Sequence, residues 1–149
     1  MFRGHFEHAI DEKGRTSLPA RFRQALPDPG DTRLVVTPNL FDPCLDVYPM
    51  HAWEEVEAKV AGFKRWDRDV QRFRRAYVSA AVECELDKAG RVLVPAQLRE
   101  RAGLVKEVLW AGVGTTMELW AKERFHAAQA LPPEELERWQ RAVQEKLEL

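Results

Sequence analysis

The sequence predicts a mainly β (α+β) fold built from two copies of one unit, with helices flanking them. Three observations carry this. A thirteen-residue stretch, Asp11–Arg23, recurs 76 residues later as Asp87–Arg99, with six identities in the fixed order D-x-x-G-R-x-x-x-P-A-x-x-R. The residues around both copies alternate between apolar and polar, as half-buried strands do. Between and after the copies the apolar spacing changes to three and four, the helical period.

Taken in order, Phe2, Phe6 and Ile10 point one way and Arg3 and Glu7 the other, which predicts a first strand. Asp11-x-x-Gly14 is turn chemistry: a carboxylate bonds backbone N–H groups just ahead of it, and glycine takes a positive φ. Arg15 stands at that turn, and Thr16-Ser17-Leu18 makes a short second strand. Leu18 is held extended by Pro19, which suits the first position of a helix. Phe22 and Leu26 share one helical face. Each copy thus predicts a β-hairpin running into a helix of one or two turns, and in the second copy Gly103 marks its stop. Asp11, Gly14, Pro19 and their counterparts Asp87, Gly90, Pro95 are read as the structural frame of the motif.

The repeat continues. Leu34-Val35-Val36 resembles Val108-Leu109-Trp110, and Leu45–Tyr48 resembles Met117–Trp120 at an offset of 72, so the first copy holds about four extra residues around Pro38–Pro43. Pro27–Gly30 reads as a loop, Val78–Leu86 as a strand, and Gly112–Thr116 as a turn. Trp53, Val56, Val60, Phe63 and then Trp66, Val70, Phe73, Tyr77 predict two helices or one kinked helix joining the halves. Residues 121–131 read as helical, Pro132-Pro133 breaks the chain, and Leu136, Trp139, Val143 and Leu147 stripe a last helix. The expected organisation is a first unit over 1–54, a helical connector over 55–77, a second unit over 78–124 and a C-terminal helix over 125–149. Each half is too small to bury a good core, so the halves pack on each other.

With 149 residues and nearly a third of them charged, the chain has no apolar run approaching a membrane span. Its start, Met-Phe-Arg-Gly-His, lacks the apolar core of a secretion signal. Cys44 and Cys84 fit no zinc or redox spacing and read as reduced core thiols of a cytoplasmic protein. His5, His8, His51 and His126 are scattered, so no metal and no cofactor is expected. No phosphate loop, dinucleotide loop, nucleophile elbow or HExxH occurs, and no enzyme is expected. The tryptophans read as core and subunit interface.

A net charge of −1 and a pI near 6.4 weigh against nucleic-acid binding. The distribution does not. Lys59–Arg75 holds seven basic residues against two acids, whereas Glu118 to the end holds seven glutamates against five basic residues. The basic run is expected to be a solvated helix face or a contact with the Glu-rich end of a neighbouring subunit, with a second DNA surface as the alternative.

The opening Met-Phe-Arg-Gly-His-Phe-Glu-His, the following Asp-Glu-Lys-Gly-Arg-x-x-x-Pro-x-x-x-Arg, and Leu-Asp-Lys-x-Gly-Arg-x-x-x-Pro in the second half resemble the MraZ family along the whole chain. These are bacterial transcriptional regulators with two tandem SpoVT/AbrB-type units. The resemblance implies a double-split β-barrel of AbrB/MazE/MraZ type, folded as an internal pseudo-dimer. It implies a homo-oligomer in an octamer-like ring and a cytoplasmic, nucleoid-associated location. It further implies binding of double-stranded DNA at repeated G-rich boxes upstream of the division and cell-wall gene cluster, including the protein's own promoter, with repression as the expected effect. The family's DNA-contacting arginine falls on Arg15, with Lys13 beside it. Arg91 matches it in the second half, where Ala89 replaces the lysine and Lys88 is displaced by one. The alternative is an antitoxin-like or other protein-interaction module on the same fold.

Overall fold

In the computed structural model, which describes residues 1–148, both halves run strand, strand, short helix, strand, strand. The first half is β1 (Phe2–Ala9), β2 (Arg15–Ser17), α1 (Ala20–Gln24), β3 (Arg33–Pro38) and β4 (Leu45–Pro49). After it come α2 (Met50–Ala61), α3 (Arg68–Phe73) and a π-turn over Arg74–Val78. The second half is β5 (Val82–Glu85), β6 (Arg91–Leu93), α4 (Ala96–Ala102), β7 (Glu107–Gly114) and β8 (Met117–Ala121), followed by α5 (Lys122–Gln129) and α6 (Pro133–Leu147). Six residues separate β3 from β4 and two separate β7 from β8, which accounts for the four-residue surplus of the first copy.

The halves interleave. Six antiparallel strands form one sheet in the order β1-β7-β8-β4-β3-β5, so each half lends its first strand to the other. Strands β2 and β6 form a separate two-stranded ribbon, joined to the sheet by the bridge Ile10–Thr16. Repeat-equivalent residues meet at two places: Thr16 faces Val92 in the ribbon, and Asp46 faces Glu118 where β4 meets β8. A pseudo-two-fold axis passes through both pairs.

Alternation along the strands makes two faces. Leu34, Val36, Leu45, Val47, Val108, Trp110, Met117 and Leu119 point inward, under α1, α4 and the ribbon, which add Phe22, Leu98, Leu18, Val92 and Val94. Phe22 lies edge-on to Phe2, Phe6 and Trp110. Each such side chain contributes about 1.5–3 kcal/mol by leaving water. On the opposite face, Val35 packs on Met50, Trp53 and Tyr77, and Leu109, Ala111 and Trp120 pack on Phe125.

Four expectations are revised. Each motif folds back on itself only at its turn, through Asp11 N–H to Arg15 O and Asp87 N–H to Arg91 O, with the bridge Ile10–Thr16 in the first; the ladder of the short second strand forms across halves, β2 with β6. The strand expected over Val78–Leu86 is confined to Val82–Glu85, because Val78 closes the π-turn. The turn expected over Gly112–Thr116 is shorter, since β7 continues to Gly114. Of the two readings of the connector, two helices hold, but Phe63 and Trp66, expected on their apolar faces, lie on the joint between Gly62 and the Asp67 cap of α3, with Trp66 81% exposed. Trp53, Trp110 and Trp120 are buried, whereas Trp139 on α6 is exposed, and that helix buries none of its residues.

Candidate nucleic-acid interface

The two motif turns are built alike, contact by contact. Asp11 Oδ1 accepts the backbone N–H of Lys13 (3.0 Å) and of Arg15 (2.8 Å), and Oδ2 accepts Arg15 Nε (2.7 Å). Asp87 Oδ1 accepts the N–H of Ala89 and of Arg91 (2.9 Å each), and Oδ2 accepts Arg91 Nε (2.9 Å). Gly14 and Gly90 sit at φ +92 and +76, conformations that side chains disfavour. These bonds, first the backbone N–H of the arginine and then its side chain, hold the carboxyls of Asp11 and Asp87 below the usual aspartate range. Each aspartate thus bonds its own turn and also its arginine's side chain.

Each turn is clasped by the other half: Leu18 N–H donates to Gly90 O (3.0 Å) and Val94 N–H to Gly14 O (2.8 Å). Pro19 and Pro95, expected inside their helices, stand one step earlier with ψ 138° and 144°, as extended caps.

Ribbon geometry then decides which way the arginines face. Thr16 and Val92, its central pair, point into the core at 1% exposure each. Their neighbours Arg15, Ser17, Arg91 and Leu93 therefore all stand on the outward face. Arg15 and Arg91 are diagonal neighbours there, about 7–8 Å apart between backbones. Only Nε of each is bonded among the described residues, which leaves both Nη nitrogens of each unpartnered. Lys13 and Lys88 are exposed on the two turns. The structure thus brings Arg15, Lys13, Arg91 and Lys88 to one ribbon.

The basic stretch lies elsewhere. Lys59, Lys64, Arg65, Arg68, Arg72, Arg74 and Arg75 belong to α2, α3, their joint and the π-turn, which cover the sheet face opposite the ribbon. Arg74 Nη2 is bonded to Val60 O (3.0 Å), and Arg65 lies over the Trp66 ring (5.4 Å).

Sequence reasoning missed one group. Ligand-type atoms of Cys44, Asp46 and Glu118 lie within 4.8 Å of one another. Their hydrogen bonds are internal: Asp46 accepts from Asn39 Nδ2 (2.9 Å) and Tyr77 OH (2.5 Å), and Glu118 from Trp120 Nε1 (3.1 Å). Burial, then the charges of Glu118, Asp46 and Asp42, push the Cys44 thiol far up. The group arises from the pseudo-two-fold pairing of Asp46 with Glu118, which no spacing in the sequence announces. His5 meets the ring of Phe125 (4.8 Å), and His51 lies 3.4 Å from Glu55. Both cysteines are buried and free, as expected of core thiols.

Fold and site together define a tandem-unit protein in which one chain does the work of a dimer, interleaving two copies of a strand-turn-strand-helix unit to present twin arginines on a shared ribbon. The family model described as "MraZ protein, putative antitoxin-like" matches residues 1–75 and 77–146, and the chain belongs to the MraZ family. Relatives named "Transcriptional regulator MraZ" are 49% identical over 125 residues in Desulforamulus reducens, covering 84% of each chain, and 46% identical over 123 residues in Thermoanaerobacter pseudethanolicus, covering 83% of this chain and 82% of that one. One from Moorella thermoacetica is 46% identical over 125 residues, covering 84% of each.

Proposed function

We propose that the protein is a DNA-binding transcriptional regulator that lays the outward face of the β2–β6 ribbon against double-stranded DNA. The observation that carries this reading is the pair Arg15 and Arg91, held on one exposed ribbon by identical aspartate turns. A two-stranded ribbon fits a major groove about 12 Å wide, and an arginine bonded to guanine O6 and N7 discriminates by about 1–3 kcal/mol. Guanine-reading arginines suit the repeated G-rich boxes that the family resemblance implies, upstream of the division and cell-wall cluster and at the protein's own promoter, where occupancy represses.

A chain of net charge −1 gains little from bulk electrostatics. Joined in a ring, several weak ribbons meeting several boxes multiply their affinity through effective concentration. The exposed stripe of α6, with Leu136, Trp139 and Leu147 at 38%, 55% and 63% exposure, supplies apolar surface for such assembly. The same stripe and the family description favour one second reading, an antitoxin-like module that holds a protein partner.

The test compares wild type with Arg15→Ala on a duplex carrying the protein's own upstream region, across a salt series. Wild type is expected to bind the repeats, and the variant to fall to non-specific binding with its oligomer unchanged. Equal binding by Arg15→Ala would move the contact surface to Lys59–Arg75. No binding by wild type would favour the protein-partner reading.

A further inference from the structure

We infer that Arg23, reaching over from the first half, adds a DNA-contacting cation at the second motif turn. The inference rests on the DNA-binding reading above and names a further contact residue for it.

Two glycines reveal the arrangement. A Cβ built on Gly90 would lie 2.5 Å from Cζ and Nη1 of Arg23, and one built on Gly14 would lie 2.6 Å from Nε of Arg99. The last arginine of each motif therefore packs its side-chain end against the turn glycine of the other motif, and both glycines are buried at an otherwise exposed tip. The exchange repeats the interleaving of the strands.

The two arginines differ in what else holds them. Arg99 is half-buried and donates Nε to Val94 O (3.0 Å). Arg23 is exposed, and its guanidinium has no hydrogen-bond or ion-pair partner among the described residues. Its cation is consequently available to a ligand at the second turn, beside Arg91.

Counting charges with these crossed arginines reverses the ranking of the two tips. Along the sequence the second turn looks poorer, because Ala89 stands where the first has Lys13. In space the second tip holds one acid, Asp87, against Lys88, Arg91 and Arg23. The first holds two, Asp11 and Glu12, against Lys13, Arg15 and Arg99. An anionic backbone passing over the ribbon meets at least as much positive charge at the second tip. A guanidinium there suits a phosphate, which it can grip with two parallel bonds.

The experiment measures binding of the full chain to the upstream duplex between 50 and 200 mM salt, with melting temperature as the check on folding. Arg23→Gln is expected to lower affinity on specific and random duplexes alike and to flatten the log–log salt slope by about 0.9 for each ribbon engaged, one phosphate contact apiece. Arg23→Lys should keep the slope, and Ala89→Lys should restore it in the Arg23→Gln protein. Arg21→Gln, an exposed arginine on the same helix but away from the turn, should leave it unchanged. An unchanged slope for Arg23→Gln while wild type binds would overturn the inference, as would Arg23→Lys losing slope like Arg23→Gln. Absence of binding by wild type would instead remove the DNA-binding reading beneath it.

Discussion

Asp46 and Glu118 are the residues most at odds with their surroundings. They are repeat equivalents, they face each other across β4 and β8, and like charges in that register destabilise a sheet. Burial first, then Asp46 and Asp42, raises the Glu118 carboxyl above its ordinary 4.5. A raised acid costs stability once ionised, so the penalty is full above its folded value and absent below 4.5. Glu118→Gln keeps an oxygen for Trp120 Nε1 and should raise stability at neutral pH by about 0.2–1 kcal/mol, with the gain fading as pH falls through the raised folded value and gone below 4.5. Denaturant titrations at pH 4 and 7.5 check this; an equal gain at both would contradict the charge account. Asp11 and Asp87 run the other way, since their lowered values add stability that persists above 3.8 and is lost only further into acid. The turn roles of these two were readable directly, because D-x-x-G-R dictates local bonds. The Asp46–Glu118 pair was not, because its partners lie 72 positions apart and only the sheet register joins them.

Elements were legible where the pattern is local, and blurred where two patterns overlap. Every strand of the first half, the four-residue surplus in its β3–β4 loop and the helical connector follow from alternation and spacing. The partnering of strands does not: nothing in Phe2–Ala9 says that it pairs with Glu107–Gly114 instead of its own hairpin arm. One residue does record that partnership. At Gly112, opposite Gly4, a Cβ would overlap the backbone of Arg3, so β1 can approach β7 this closely only over a glycine. Gly112→Ala should cost about 1–3 kcal/mol through overpacking against a backbone that cannot rotate away. Thermal unfolding would show it as a lowered midpoint. An unchanged midpoint would mean that β1 shifts freely along the edge. Of the tryptophans, read as core and subunit interface, Trp66 and Trp139 lie exposed on a joint and on an unpacked helix, and spacing alone does not tell a buried stripe from an exposed one.

For the whole molecule, the duplication in the sequence foretold two packed halves, but the exchange of β1 and β5 makes them inseparable. A fragment of residues 1–77 would keep β3 and β4 while losing the partner of β1, the partner of β2 and the neighbour of β4. It should unfold without a cooperative transition in circular dichroism, whereas the full chain melts as one unit; a cooperative melt of the fragment would mean that the halves are separate domains. The same exchange imposes an order of events on synthesis. Strand β1 leaves the ribosome well ahead of its partners Glu107–Gly114, which follow about a hundred residues later, roughly 5–20 s at translation rates of about 5–20 residues per second. During that wait a nascent strand of eight residues has no mate. Its exposed Arg3, His5 and Glu7 keep it polar enough to stay single until the chain that completes it arrives.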